Sequence, residues 1–161
     1  MTTQEFKDFC HEEFTKRGFV KKKLNNYYLN TDKGVLVSIY LQRSGYGTAY
    51  YINYNFYIGF FDKVKDYPPH YDSDLYHRIC VLSKDTFKGE HFMDAMIELE
   101  RYTIDEIKPY IDAEFDQYIM PVLTKGKQHI IDNLDHFFSG TPEERVELLS
   151  KLNSWFAPPD E

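Results

Sequence analysis

The chain has 161 residues, of which 42% are hydrophobic and 17% aromatic, and it carries a formal net charge of −7 at pH 7. This composition excludes a disordered chain. The length predicts a single domain over residues 1–161, with a helix-and-meander part at 1–100 and a helical part at 101–157. No apolar run approaches the roughly 20 residues that cross a bilayer, and the first residues do not resemble a signal peptide. We therefore expect a cytoplasmic protein without a membrane segment.

The negative charge is concentrated in one part of the chain. Residues 90–161 carry sixteen Asp and Glu against six Lys and Arg. This acidic half argues against nucleic-acid binding, which needs a basic surface, and would suit a basic protein partner. The basic cluster between Lys16 and Lys23 could hold an anion or a phosphate backbone, but such a run more often keeps an edge strand soluble.

The first predicted element is a helix. Thr2 and Glu5 have the spacing of a capping box, which marks a helix start, and Gly18 is placed to end the helix in a left-handed cap. Between these signals, apolar residues recur at helical intervals and predict one buried stripe. The stripe consists of Phe6, Phe9, Cys10 and Phe14.

A hairpin at 34–61 is predicted to be the centre of the fold. A short strand near 27–30 precedes it, and two longer strands joined at 44–47 form it. Because strand side chains alternate, each long strand presents an apolar row, and we expect the two rows to pair and face the core. These rows are Val35, Val37, Ile39 and Leu41 on the first strand, and Tyr50, Ile52, Tyr54, Phe56 and Ile58 on the second.

The opposite side of this hairpin, here called the Tyr/Asn face, is the candidate binding site. Tyrosine offers a large contact area with few rotatable bonds, and Asn and Gln amides offer directional hydrogen bonds. Two interpretations stay open: the C-terminal helices cover this face, or it is exposed to a ligand. The candidate residues are Tyr40, Gln42, Arg43, Tyr51, Asn53, Asn55 and Tyr57.

The region after the hairpin is predicted to be a loop over 62–77. Pro68 and Pro69 exclude a helix or a central strand there, and the Asp and Ser residues around them favour turns. A fourth strand is predicted at 78–83. The segment 93–99 fits either a strand or a helix.

The C-terminal third is predicted to be helical. A capping box at Thr103 begins a helix that runs to about residue 122, with Pro109 distorting its first turns or standing at its true start, and with Pro121 kinking its end. A second helix follows at 127–138. Thr141 and the proline after it mark the third helix, which ends before Pro158-Pro159. Its predicted buried residues are Val146, Leu149, Leu152 and Phe156.

These elements predict an α+β fold. It consists of an antiparallel four- to five-stranded meander sheet with an N-terminal helix and two to three C-terminal helices.

Three segments carry a resemblance to a known family. They are GFVKK after the first helix, VLVSIYLQRSGYGTAYYINYNFYIG in the hairpin, and the later QYIMPVL. By these segments the chain resembles the bacterial family catalogued as domain of unknown function 4304, from about Phe6 to about Trp155. The motifs are structural, so the resemblance implies a fold and lends no established activity. Proteins of this kind are often associated with toxin–immunity loci, which is an association and not a mechanism.

No arrangement of residues predicts catalysis, a metal or a cofactor. Cys10 and Cys80 fit no metal or redox spacing and are expected to be free thiols. The segment His70–His77 holds two His and two Asp, and His129, Asp132 and His136 share one helix face. A metal site needs three or four inward ligands and partners that orient the imidazoles, so a solvated loop and a surface stripe are the favoured interpretations.

Three functions follow as hypotheses. The leading one is a non-enzymatic, immunity-like module that binds a protein partner through its acidic surface and exposed tyrosines. The alternative is a small-molecule-binding protein or an enzyme, with a pocket between the Tyr/Asn face and the His70–His77 loop. The third is nucleic-acid binding through the basic cluster.

Overall fold

The computed structural model of the chain describes residues 1–59 and 68–154. Over these residues it has eight strands. They are β1 (Val20–Lys23), β2 (Asn26–Asn30), β3 (Val35–Arg43), β4 (Ala49–Ile58), β5 (Leu75–Arg78), β6 (Val81–Phe87), β7 (Glu90–Asp94) and β8 (Ile97–Glu98).

The main sheet is an antiparallel meander. Strands β1 to β5 lie side by side in chain order, and the two-residue strand β8 also pairs with β4. Strands β6 and β7 form a separate hairpin. The predicted antiparallel α+β fold is confirmed, with β1 as a strand that was not predicted and with β6 and β7 as a hairpin apart from the main sheet.

The helices are α1 (Thr3–Thr15), α2 (Ile104–Glu114), α3 (Val122–Lys125), α4 (Lys127–Asp132), α5 (Leu134–Phe137) and α6 (Pro142–Ser154). A π-helical segment, Phe115–Ile119, connects α2 to the turn before α3. Short 3₁₀ turns lie at His70–Asp72 and Leu99–Arg101. None of the helices in the described part of the chain is both long enough and apolar enough to cross a membrane.

The predicted ends of α1 are confirmed. The Thr2 hydroxyl accepts a 3.2 Å hydrogen bond from the Glu5 amide, and the Glu5 carboxylate accepts a 2.6 Å bond from the Thr2 amide. Both otherwise unpaired amides of the first turn are thereby satisfied. At the other end Gly18 has a φ of 93°, and the Phe19 amide reaches back to the Phe14 carbonyl. A residue with a side chain rarely adopts this conformation, so glycine is needed there.

The two apolar rows of the central hairpin pair with each other, as predicted. Val37 lies opposite Phe56, and Ile39 lies opposite Tyr54. These four side chains are essentially inaccessible to solvent. The two apolar rows therefore form one continuous surface, which the helices cover.

The helices pack on the apolar side of the sheet. Phe6 of α1 contacts the Tyr50 ring, and Phe137 of α5 contacts the Phe56 ring at 5.1 Å between centroids. The same core includes Ile111 of α2 and Leu152 of α6. One of the two interpretations of the Tyr/Asn face was that the C-terminal helices cover it. For the described residues that interpretation is wrong.

The prediction of a strand at 78–83 gave the wrong bounds. The chain instead forms β5 up to Arg78, leaves the main sheet after Ile79, whose amide still donates to the Ile52 carbonyl, and continues as β6. The turn-forming Asp72-Ser73-Asp74 run stands directly before Leu75, and this loop-like composition hid the strand that follows it. The part of the predicted loop at 62–67 lies outside the described residues.

The single helix predicted at 127–138 is also wrong, because it breaks at Asn133. The Asn133 side-chain amide donates to the His129 carbonyl at 2.9 Å, and its backbone leaves the helical region with φ −118° and ψ 24°. Side chains that hydrogen-bond the nearby backbone compete with helix continuation. In α6, Leu152 is buried as predicted but Val146 is 67% exposed, and Phe156 lies outside the described residues.

Candidate functional site

The Tyr/Asn face borders an open pocket, here called the amide pocket. One wall is the sheet and the other is the turn and strand at 70–76. Its volume is about 440 Å³. The residues that line it are Tyr40, Gln42, Asn53, Asn55, His70, Tyr71, Ser73 and Tyr76.

The floor of the amide pocket is a network of side-chain amides. Asn53 donates through Nδ2 to the Gln42 Oε1 atom at 3.3 Å, and Arg78 Nε donates to the Asn53 Oδ1 atom at 3.0 Å. Arg78 also donates through Nη2 to Gln42. Its guanidinium lies 4.1 Å from the centre of the Tyr51 ring. These contacts fix the amide orientations, because each oxygen faces a defined donor.

A stacked pair of rings forms one side of the pocket. The His70 imidazole lies parallel to the Tyr40 ring, with 5.0 Å between centroids and 4° between planes. Further in, the Ser73 hydroxyl donates to Asn55 Oδ1 at 3.4 Å, and Asn55 Nδ2 donates to Ser38 at 3.0 Å. The turn before β5 is thus attached to the sheet through the pocket's own residues.

Four of the seven predicted site residues line this pocket and three do not. Tyr51 lies beneath Arg78, and Arg43 is exposed at the end of β3. Tyr57 is buried, and its hydroxyl donates to the Pro69 carbonyl at 3.0 Å. Burial raises the pKa of Tyr57 to about 12. The structure therefore gives Tyr57 a packing role under the prolines.

A second constellation lies on the opposite side of the sheet and was not predicted. His77 of β5, Glu114 at the end of α2 and His136 of α5, here called the His–Glu cluster, direct one ligand atom each to a common point. These three atoms lie within 4.8 Å of one another. Glu114 Oε1 is 2.6 Å from His136 Nε2 and 3.9 Å from His77 Nε2.

The surroundings of the His–Glu cluster hold its side chains in place. The Tyr54 hydroxyl donates to Glu114 Oε1 at 2.5 Å, and the Tyr118 ring stacks on His136 with 3.5 Å between centroids. Burial lowers the pKa of His77, with a smaller contribution from His136 and an opposing one from Glu114. A neutral imidazole offers a lone pair, which is the form that a metal ion needs.

A cavity of about 280 Å³ opens onto the two imidazoles of the cluster. Cys80 also lines it, and burial together with the Glu114 charge raises the pKa of this thiol. A thiol with a raised pKa is a poor nucleophile, because the thiolate is the reactive form. The arrangement is therefore suited to binding at nitrogen and oxygen atoms and not to attack by sulfur.

The structure does not keep together the two groups of histidines that the sequence suggested, the stripe His129, Asp132 and His136 and the loop His70–His77. On the predicted stripe, His129 Nε2 lies 2.7 Å from the Tyr118 carbonyl and Asp132 accepts from Gln128, so neither joins His136. In the predicted loop, His70 and His77 lie on different faces of the sheet. Only one feature of the sequence pointed to Glu114. Its carboxylate stands between Ile111 and Phe115, which are buried positions of an apolar helix stripe.

An antiparallel meander with helices on one side and an amide-lined pocket on the other defines an α+β protein with a polar cleft on the sheet. The chain belongs to the family described as domain of unknown function (DUF4304), whose model matches residues 10–125. This match includes the strands of the Tyr/Asn face, His77 and Glu114, and ends before His136. Comparison with curated proteins and with solved structures gave no significant match.

Proposed function

We propose that this chain binds a small, uncharged polar molecule with a flat ring in the amide pocket. The observation that carries this proposal is the combination of a fixed amide floor with a stacked aromatic wall. Pockets for small ligands commonly have volumes of roughly 300–1,000 Å³ and pair aromatic walls with a few placed polar groups. The amide pocket has both properties.

The unpaired polar atoms of the pocket indicate how a ligand would be recognised. Within the described part of the chain, the Gln42 Nε2 amino group and the Tyr40 hydroxyl make no hydrogen bond, so each is available to a ligand. Of the described residues that line the pocket, none is a carboxylate or a lysine. This inventory favours an uncharged ligand that accepts a hydrogen bond at one edge and stacks through its ring.

Ligand-observed NMR with a library of ring-containing polar fragments tests this proposal. The measurement is made on the full chain in the presence of a metal chelator, so that the His–Glu cluster does not contribute. We expect saturable binding, with magnetisation transfer between the ligand ring and the Tyr40 ring.

The matched variants are His70→Ala, which removes half of the stacked wall, and His91→Ala, which removes an exposed histidine from the separate hairpin. Because an aromatic contact contributes about 0.5–1.5 kcal/mol, His70→Ala should weaken binding up to about tenfold. His91→Ala should leave it unchanged. Fragments that bind His70→Ala as tightly as the unmodified chain, with no transfer to Tyr40, would contradict the proposal.

A second candidate function is binding of a basic protein partner, as in an immunity-type module. The observation that favours it is a set of exposed tyrosines, with Tyr46 84% and Tyr71 77% exposed, on a chain whose later part is acidic. Tyrosine is enriched where proteins contact each other.

A captured partner would then be tested as a purified protein. Its affinity should fall with added salt and with Tyr71→Ser, and should fall again when Glu143 and Glu147 on exposed positions of α6 become Gln. An affinity that changes neither with salt nor with these substitutions would contradict binding of a basic partner.

A further inference from the structure

The strongest unassigned feature of the molecule is the convergence of His77, Glu114 and His136. They come from three elements that are distant in sequence, a strand and two helices, and they meet at one point. The ligand atoms of these three side chains lie within 4.8 Å of one another, and each is of a type that binds metal ions. We propose that the His–Glu cluster is a binding site for a divalent transition-metal ion of the Zn²⁺ type.

The donor set fits such an ion. Two imidazole nitrogens and one carboxylate oxygen are ligands that Zn²⁺ and related first-row ions prefer, whereas Mg²⁺ and Ca²⁺ prefer oxygen ligands throughout. Three protein ligands with one open position is the arrangement of zinc sites that bind water or a further ligand. The cavity of about 280 Å³ beside the two imidazoles provides room for that fourth position.

The distances fit as well. Zinc holds nitrogen and oxygen ligands at about 2.0–2.2 Å, so tetrahedral ligand atoms stand about 3.3 Å apart. Glu114 Oε1 now lies 2.6 Å from His136 Nε2 and 3.9 Å from His77 Nε2. These two separations lie on either side of the required one. Binding of the ion would lengthen the Glu114–His136 separation and shorten the Glu114–His77 separation.

The accessibility of the cluster also suits an ion that enters from water. The side chains of His77 and His136 are 29% and 27% exposed, and that of Glu114 is 12% exposed. Within the described residues His77 Nε2 makes no hydrogen bond, and it lies 3.9 Å from Glu114 Oε1, so this atom is accessible to an ion.

Two neighbours would orient the ligands. A ligating carboxylate is commonly held by a hydrogen bond from a further residue, and Tyr54 donates such a bond to Glu114. Tyr118 restricts the His136 ring by parallel stacking. Tyr54 is thus a positioning residue of the site, and it does not reach the ion itself.

Zinc binding is tested on the full chain after treatment with a chelator and its removal. Isothermal titration with Zn²⁺, in competition with a chelator of known affinity, gives stoichiometry and Kd, and the same titration with Mg²⁺ tests the selectivity. We expect one high-affinity Zn²⁺ per chain, no comparable Mg²⁺ binding, and an unfolding midpoint that rises with Zn²⁺ concentration. Absence of saturable Zn²⁺ binding, or equal binding of Mg²⁺, would overturn the proposal.

Variants assign the site to its residues. His136→Ala and Glu114→Gln should each weaken Zn²⁺ binding by at least about 100-fold, and Tyr54→Phe by about 10- to 100-fold. His91→Ala, an exposed histidine outside the cluster, is the control and should bind as the unmodified chain does. Circular dichroism in chelator checks that each variant is folded, and the imidazole NMR signals of His77 and His136 should shift with Zn²⁺ in the unmodified chain. Equal loss in His91→Ala, or unshifted signals from both cluster histidines, would place the metal elsewhere and reject this site.

Discussion

The Tyr54 hydroxyl donates a 2.5 Å hydrogen bond to Oε1 of Glu114. This bond joins the middle of the central strand β4 to the last residue of α2, across the core of the molecule. Tyr54 is fully buried, and burial raises its pKa well above the ordinary value, with the Glu114 charge adding to the effect. The phenol therefore stays protonated and serves as a permanent donor to the carboxylate.

Removal of this donor should destabilise the fold. Because a hydrogen bond to a charged group contributes about 1.5–3 kcal/mol, Tyr54→Phe should lower the free energy of unfolding by about that amount in the absence of metal. Tyr40→Phe is the matched control, since the Tyr40 hydroxyl makes no hydrogen bond within the described residues, and it should change stability by less than about 0.5 kcal/mol. Urea unfolding followed by circular dichroism measures both. Equal losses in the two variants would contradict the assigned role of Tyr54.

A buried carboxylate between α1 and α2 makes the free energy of unfolding depend on pH in the acid range. Glu13 accepts hydrogen bonds from Arg17 at 2.7 Å and from Lys16 at 2.6 Å. Burial alone would raise the pKa of Glu13, but these bonds and the Lys108 charge lower it below its usual value of 4.5. The folded state thus binds this proton less readily than the unfolded chain.

The sign of the effect follows from that difference in the Glu13 pKa. The stabilisation is fully present above pH 4.5 and is lost as the pH falls through the folded-state pKa. Glu13→Gln should lower the free energy of unfolding at pH 7 by about 1–2 kcal/mol, and the gap to the unmodified chain should close in acid. The exposed neighbour Glu12→Gln is the control. A gap that stays constant from pH 7 to pH 3 would show that the Glu13 charge contributes nothing.

Gly126 stands where a side chain does not fit. Its φ is 56° and its ψ −138°, and a Cβ built there would lie 2.9 Å from the Lys33 Cβ atom. Both the conformation and the contact penalise alanine, so Gly126→Ala should lower the free energy of unfolding by about 2–3 kcal/mol. Gly45→Ala is the control, because a Cβ there meets no atom within 4 Å. If thermal unfolding shows the two variants to be equally stable, the approach of Lys33 to Gly126 is not as close as described.

Phe137 joins α5 to the sheet by aromatic packing. It is 3% exposed and packs edge-on against Phe56. Phe137→Ala should cost about 3–5 kcal/mol of unfolding free energy, since it removes buried surface and leaves a cavity. The same substitution at Phe87, which is 68% exposed on the separate hairpin, should cost far less. Chemical unfolding of the two variants side by side measures the difference, and comparable losses would contradict the assigned core.

Local patterns were enough to predict the parts of the fold that depend on near neighbours. The alternation of Val37 and Ile39 with polar residues established the pairing faces of the hairpin, and the capping boxes at Thr2 and Thr103 located two helix starts. Each of these features is a relation between residues a few positions apart. Tyr40, Gln42 and Asn53 could be placed on one face for the same reason, because they lie on paired strands of one hairpin.

The amino-acid sequence by itself determined the central hairpin, its two faces and the class of fold, because periodicity and capping are relations between residues close together in the chain. Only the tertiary structure decided that the helices share one face and that Glu114 meets His77 and His136. Tyr54 and Glu114 are 60 positions apart, and His136 follows Glu114 by 22 more. Their meeting depends on the direction in which α2 crosses the sheet and on the break at Asn133. Both are set by packing across the whole core.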